Sequence, residues 1–110
     1  MTSCSLQVGS SHEISCISDA RKKKNIVGLP DGALAKIRAI KPSFFVMKDD
    51  KTNWKRAGFI AQDLKPYMPE ATPMQESGYY GLDSTAVLAY AVKAIQEQQV
   101  QIDGLRRRQR

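Results

Sequence analysis

Cysteine is scarce in this 110-residue chain: Cys4 and Cys16 are the whole complement. Two thiols without C-x-x-C spacing build neither a disulfide scaffold nor a Cys/His metal centre. Histidine is scarcer still, with His12 alone, read as a surface or linker residue rather than a ligand. The expectation is that neither metal nor cofactor is needed. No apolar run approaches the ~20 residues of a bilayer-spanning helix. The first residues lack the charged start and apolar stretch of a secretory signal. Synthesis in the cytoplasm, without a membrane partner, is the expectation. Internal repeats are also absent.

What is present is an average globular composition, 42% apolar and 25% charged, enough for one compact domain with a modest core. A protomer of this size carrying a long helix gains from oligomerising. The net charge is +6 and unevenly spread. Lys22, Lys23 and Lys24 form one run, and Arg106, Arg107, Arg108 and Arg110 another. A solvated turn and a frayed, soluble helix end account for both. The alternative is a basic coiled coil that contacts nucleic-acid phosphates. It is disfavoured, because acidic residues are interspersed and no groove-reading motif is present.

Residues 1–17 are polar and small, with Leu6 and Val8, then Ile14 and Cys16, alternating with polar neighbours. That pattern predicts short strands and reads as the end of something larger upstream. At Ser18 the composition shifts to a charged, turn-like segment, followed by a turn over GLPDG. Asp31 is a candidate cap for a short helix with Leu34, Ile37 and Ile40 on one face, stopped by Pro42. SFFVMK, the polar turn Asp49–Asn53 and WKRAGFIA predict a β-hairpin from Ser43 to Ala61. AQDLKPYMPEA reads as a short helix broken at Pro69, and GYYGLD as a brief strand.

Asp83 or Ser84 can cap a helix over about 84–110. Leu88, Ala91, Ile95, Gln98, Ile102, Leu105 and Gln109 fall at alternating spacings of three and four. That is a heptad seam with Ile at two of the a positions, weakened by Ala91, Gln98 and Gln109. A coiled coil that depends on the domain beside it is expected. The competing reading is an amphipathic helix packed on its own domain, and the upper turns with Val87, Tyr90 and Val92 are expected to pack that way. The fold class is α+β: a hairpin and short helices, then a long C-terminal helix forming a parallel trimeric coiled coil.

Ser18 and Lys23 stand five residues apart across the charged segment. Serine and lysine form a known nucleophile–base arrangement. Lysine is a base only when neutral, so burial or nearby cations must disfavour its charge. Arg21, Lys22 and Lys24 are such cations. Serines near lysines are common, so the spacing alone does not single out this pair.

Ser18-Asp19-Ala20-Arg21-Lys22-Lys23-Lys24-Asn25-Ile26 resembles the S-D-x-R-x-K-x-N-I signature of the peptidase S74 family, with every fixed position filled. This family is the intramolecular chaperone domain at the C-terminus of phage endosialidases, tail fibres, tailspikes and neck appendages, with a related element in the animal myelin regulatory factor. Lys41-Pro42 resembles the pair leading into its first hairpin strand. Gly58-Phe59-Ile60-Ala61-Gln62 resembles its G-F-I-A-Q block, with Asp63 where Glu is more usual. Pro69-Glu70-Ala71 and Gly81-Leu82-Asp83 follow in the family's order, and the resemblance runs from Ser18 to about Gln99.

The resemblance implies a homotrimer that helps an upstream fibre or spike segment of the same polypeptide fold in the host cytoplasm, then releases itself. It implies Ser18 as nucleophile, Lys23 as base and Ile17–Ser18 as the scissile bond. Residues 1–17 would end the upstream segment, and 18–110 would be the chaperone. Asp19 and Asn25 are expected to fix the turn. Arg21 is either a structural ion-pair partner or an oxyanion stabiliser. A trimerising chaperone without protease activity stays open as the alternative. The Leu88, Ala91, Ile95, Ile102 and Leu105 side chains are the expected trimer seam.

Overall fold

The computed structural model describes residues 4–6, 14–16 and 18–109. Strands β1 (Cys4–Leu6) and β2 (Ile14–Cys16) pair antiparallel, with Cys4 opposite Cys16. Val8, His12 and Ile17 lie outside the described residues. A 3-10 turn covers Ala20–Lys22. Helix α1 spans Ala33–Ala39, and strands β3 (Ser43–Phe45) and β4 (Arg56–Gly58) form an antiparallel hairpin. Helix α2 (Ala61–Leu64) is a single turn, followed by a 3-10 turn over Pro69–Ala71. Helix α3 runs Ser84–Arg108. The expected α+β arrangement of hairpin, short helices and long C-terminal helix is therefore what forms.

The core is small: Ala33, Leu64, Met68, Ala71, Val87, Tyr90 and Ala94. Leu34, Ile37, Ile40 and Phe59 close over it. Leu64 and Met68 are fully buried. After Leu64 the chain keeps turning, with the N–H groups of Tyr67 and Met68 both donating to the Leu64 carbonyl. Pro69 ends that turn, since it has no N–H to extend it. On α3 the buried residues Val87, Tyr90 and Ala94 recur at helical spacing and face α1 and the Pro69–Ala71 turn.

Asp31 does not cap α1. The cap is Gly32, at a φ of 109° that favours glycine, with no side-chain bond of its own. Asp31 instead pairs with Lys93 of α3 at 3.2 Å. The open N–H groups of Gly32 and Leu34 donate to the two carboxylate oxygens of Glu97, each at 2.6 Å. A short helix without a local cap is thus closed from α3. Asp83 does cap α3, accepting from the Ala86 N–H at 3.1 Å.

The hairpin is shorter than expected. Its ladder covers Ser43–Phe45 and Arg56–Gly58, and Ala61 opens α2 rather than ending a strand. Phe59 leaves the ladder to pack on the core, which cuts the second strand short. Phe45 lies against Gly58, where an added Cβ would sit 3.1 Å from its ring. The connecting loop folds on itself: Asp50 accepts from the Thr52 N–H and hydroxyl at 2.9 and 2.6 Å. The GYYGLD strand is likewise reduced to one bridge, Met74 to Tyr80. Gly78, at a φ of 89°, turns the chain too tightly there for a ladder.

Candidate functional site

The segment from Ser18 to Lys23 is shaped by its own short-range bonds. Asp19 caps the 3-10 turn by accepting from the Arg21 N–H at 2.9 Å. The Arg21 guanidinium grips the same carboxylate, Nε to Oδ1 at 3.1 Å and Nη2 to Oδ2 at 2.8 Å. This fork holds the Asp19 carboxyl below the usual range, the Arg21 side chain contributing most and its backbone N–H next. Lys22 and Lys23 donate their N–H groups to the Asp19 and Ala20 carbonyls at 3.0 and 3.1 Å.

The tight turn shortens the path between the ends of the segment. Lys23 Nζ reaches Ser18 Oγ and donates to it at 2.6 Å. Lys23 itself has left the turn, at φ −117° and ψ 151°. Asn25 follows at a φ of 55°, in the left-handed region that asparagine tolerates better than most residues. Ser18, Asp19, Arg21 and Lys23 are therefore gathered into one small cluster, with Asn25 just beyond it. Ile17 lies outside the described residues.

The whole stretch from Ser18 to Gly32 is exposed, including Ile26 and Val27. Among the described residues of one copy, nothing covers the serine–lysine pair. In chemical terms the pair is a hydroxyl held against an amine, with a carboxylate–guanidinium fork fixing the turn between them.

The second feature is on α3. Leu88, Ile95, Ile102 and Leu105 are 61%, 63%, 43% and 57% exposed, while Ala91 is half-buried. Val92, expected to pack inward with Val87 and Tyr90, is exposed instead. It lies one turn from Leu88, on the side of the helix away from Tyr90 and Ala94. The helix thus has two apolar faces. One is filled by its own domain, and the other stands in solvent.

Glu97 and Lys93 were not singled out in the sequence, yet they fix the start of α1. The signal was present: Val87, Tyr90, Ala94 and Glu97 share one helical face, so an inward stripe ends in an acid. Tyr90 also donates its hydroxyl to Glu70 at 2.9 Å, with Lys36 over its ring. Burial first, then this bond, pushes the Tyr90 phenol up. Among the described residues no group of acidic, histidine or cysteine side chains is placed to hold a metal ion. No helix among them is long and apolar enough to cross a membrane.

The long tail fiber protein Gp37 of Enterobacteria phage M1 is 35% identical over 96 residues, covering 81% of this chain. The protein of the same name from Enterobacteria phage Ox2 matches to the same extent. The chain spans 38% of the length of each of these relatives. The pattern of the chaperone of endosialidase matches residues 18–72, beginning at the serine of the Ser18–Lys23 pair. This chain belongs to the chaperone-of-endosialidase family, peptidase S74.

Proposed function

We propose that this chain is the C-terminal intramolecular chaperone of a phage tail fibre, which trimerises, assists folding of the upstream fibre and cuts itself off between Ile17 and Ser18. The bond from Lys23 Nζ to Ser18 Oγ is the observation that carries the reading. A nucleophile and its base are already within hydrogen-bond reach, which is the geometric requirement for this chemistry. The family pattern starting at Ser18 supports the division into residues 1–17 and 18–110. The similarity to phage long tail fibre proteins supports assembly in an infected host cell.

The nucleophile and the scissile bond of the cut lie in the same chain, and water is the one co-reactant. Ser18 Oγ attacks the Ile17 carbonyl carbon, closing a five-membered ring, as Lys23 takes the hydroxyl proton. The ring opens by breaking the Ile17–Ser18 C–N bond, and Lys23 returns the proton to the departing amine. Water then hydrolyses the Ile17 ester, leaving a new carboxyl end at residue 17 and a free amine on Ser18. Holding both groups in one chain supplies several kcal/mol of the barrier. Arg21 is a positioning residue in this account, because its guanidinium is committed to Asp19. Lys23 is exposed in one copy of the chain, and proton transfer to a lysine base is favoured by cover from solvent. The reading supplies that cover from neighbouring copies.

Three parallel copies bury the apolar face that α3 leaves in solvent. Ile95 and Ile102 at a positions, without a consistent Leu at d, do not favour a dimer. Three chain ends held together raise the effective concentration of the upstream segments. That assists a long-range β topology, which otherwise folds slowly. Release after folding leaves the fibre without its guide and kinetically trapped. The test is expression of the full fibre with and without an intact seam. Ile95→Asp should abolish soluble trimeric fibre, and fibre yield equal to wild type contradicts the chaperone role.

A further inference from the structure

The last turn of α3 carries a charge pattern that the chaperone reading leaves unused. In the heptad frame set by Leu88, Ile95 and Ile102, the residues flanking the seam change character along the helix. Val87, Val92 and Ala94 come first, with Val87 and Ala94 buried in the chain's own core, then Gln99 and Gln101, then Arg106 and Arg108. Arg106 and Arg108 are thus at e and g, flanking the seam beside Leu105. Among the described residues the ion pairs are Arg21–Asp19 and Lys93–Asp31, so Arg106, Arg107 and Arg108 pair with no carboxylate. Asp103, the nearest acid, is engaged by the Gln99 amide at 3.0 Å. All three arginines are exposed.

A helix C-terminus favours a cation within its last turn. That explains one arginine on one copy, not guanidinium groups on both flanks of a seam. Coiled coils ordinarily place complementary charges at e and g, and like charges there repel. A trimer would crowd its Arg106 and Arg108 side chains into one ring around the seam's end. Guanidinium forks match phosphate oxygens geometrically, and a ring of them without an internal acid suits a compact, highly charged anion.

We propose that the trimer binds a multivalent phosphate anion of the tripolyphosphate class in a ring formed by Arg106 and Arg108 of all three copies. The proposal rests on the trimer reading. The anion binds only the assembled state, so it tightens assembly by mass action. Arg107, at f, points away from the seam and contributes little. The ring makes trimer stability sensitive to phosphate, and removing the arginines makes the empty trimer tighter.

The experiment is sedimentation velocity over a dilution series of the full chain, with sodium tripolyphosphate or with sodium chloride of equal ionic strength. At about 0.1 mM tripolyphosphate the dissociation midpoint should fall about tenfold, with no such change in chloride. Arg106→Gln/Arg108→Gln should abolish the response and lower the midpoint without anion. Lys22→Gln/Lys24→Gln should keep the response. A wild-type trimer indifferent to tripolyphosphate, or a double variant that responds equally, overturns the ring. So does binding of short duplex DNA by a chain that ignores tripolyphosphate. A chain that stays monomeric throughout overturns the trimer reading itself, and the ring with it.

Discussion

Glu97, midway along α3, closes the open end of α1 by accepting the Leu34 backbone N–H at 2.6 Å. Its other oxygen takes the Gly32 N–H at the same distance. The helix that carries the exposed seam therefore also fixes where the segment after Lys23 enters the domain.

This anchor predicts a pH effect with a definite sign. The Leu34 N–H, then the Gly32 N–H, hold the Glu97 carboxyl below the usual glutamate range. The unfolded chain then binds the proton more tightly than the native one. The anchor's contribution is complete above the ordinary range and is lost as pH falls through it to the lower native value. Glu97→Gln should lower the melting temperature by about 4–8 °C at neutral pH. Thermal melts at successively lower pH should show that gap narrowing once the pH falls below the ordinary glutamate range. A gap unchanged by acid contradicts the anchor.

The core makes a prediction of its own. Leu64 is fully buried, so Leu64→Ala should cost about 2–5 kcal/mol. That is a large share of the roughly 5–15 kcal/mol that stabilises an ordinary domain. Tyr90→Phe keeps the ring but loses the bond to Glu70, for a cost of about 1 kcal/mol. Urea unfolding measures both. A Leu64→Ala midpoint no lower than that of Tyr90→Phe contradicts this core.

On the trimer reading, assembly and folding are separable. Ile95 is 63% exposed and faces away from Tyr90 and Ala94. Ile95→Asp should leave the secondary structure of each copy intact but place carboxylates together in a dry layer, which dissociates the trimer. Light scattering at micromolar protein should then give a folded monomer, against a trimer for wild type. A wild-type monomer under the same conditions contradicts the seam.

Much of this was legible in the residues, for identifiable reasons. Helix α3 announced itself by length, by the Asp83 cap and by the lack of Gly or Pro before Gly104. The hairpin followed from SFF and the Asp50 turn, although its length did not. Strand propensity does not foresee that Phe59 is wanted by the core, or that Ala61 starts a helix. The Asp31 cap failed because a distant carboxylate and a left-handed Gly32 took its place, and no local rule sees a residue 65 positions away. Val92 failed because a helix with two apolar stripes does not say which one its own domain fills. The Ser18–Lys23 spacing was visible, whereas the Asp19–Arg21 fork that shapes the turn needed coordinates.

The most direct test is intact mass spectrometry of freshly made protein during incubation, wild type beside Ser18→Ala and Lys23→Ala. Wild type should separate into residues 1–17 and 18–110, the larger fragment beginning with Ser18, at a rate independent of concentration within the trimeric range. Lys23→Ala should be slower by about a hundredfold or more, while Lys22→Ala and Lys24→Ala change little. Ser18→Ala removes the oxygen that closes the ring and should stay whole. Ser18→Ala protein still cut between Ile17 and residue 18 would contradict the account, as would wild-type trimer that never cuts.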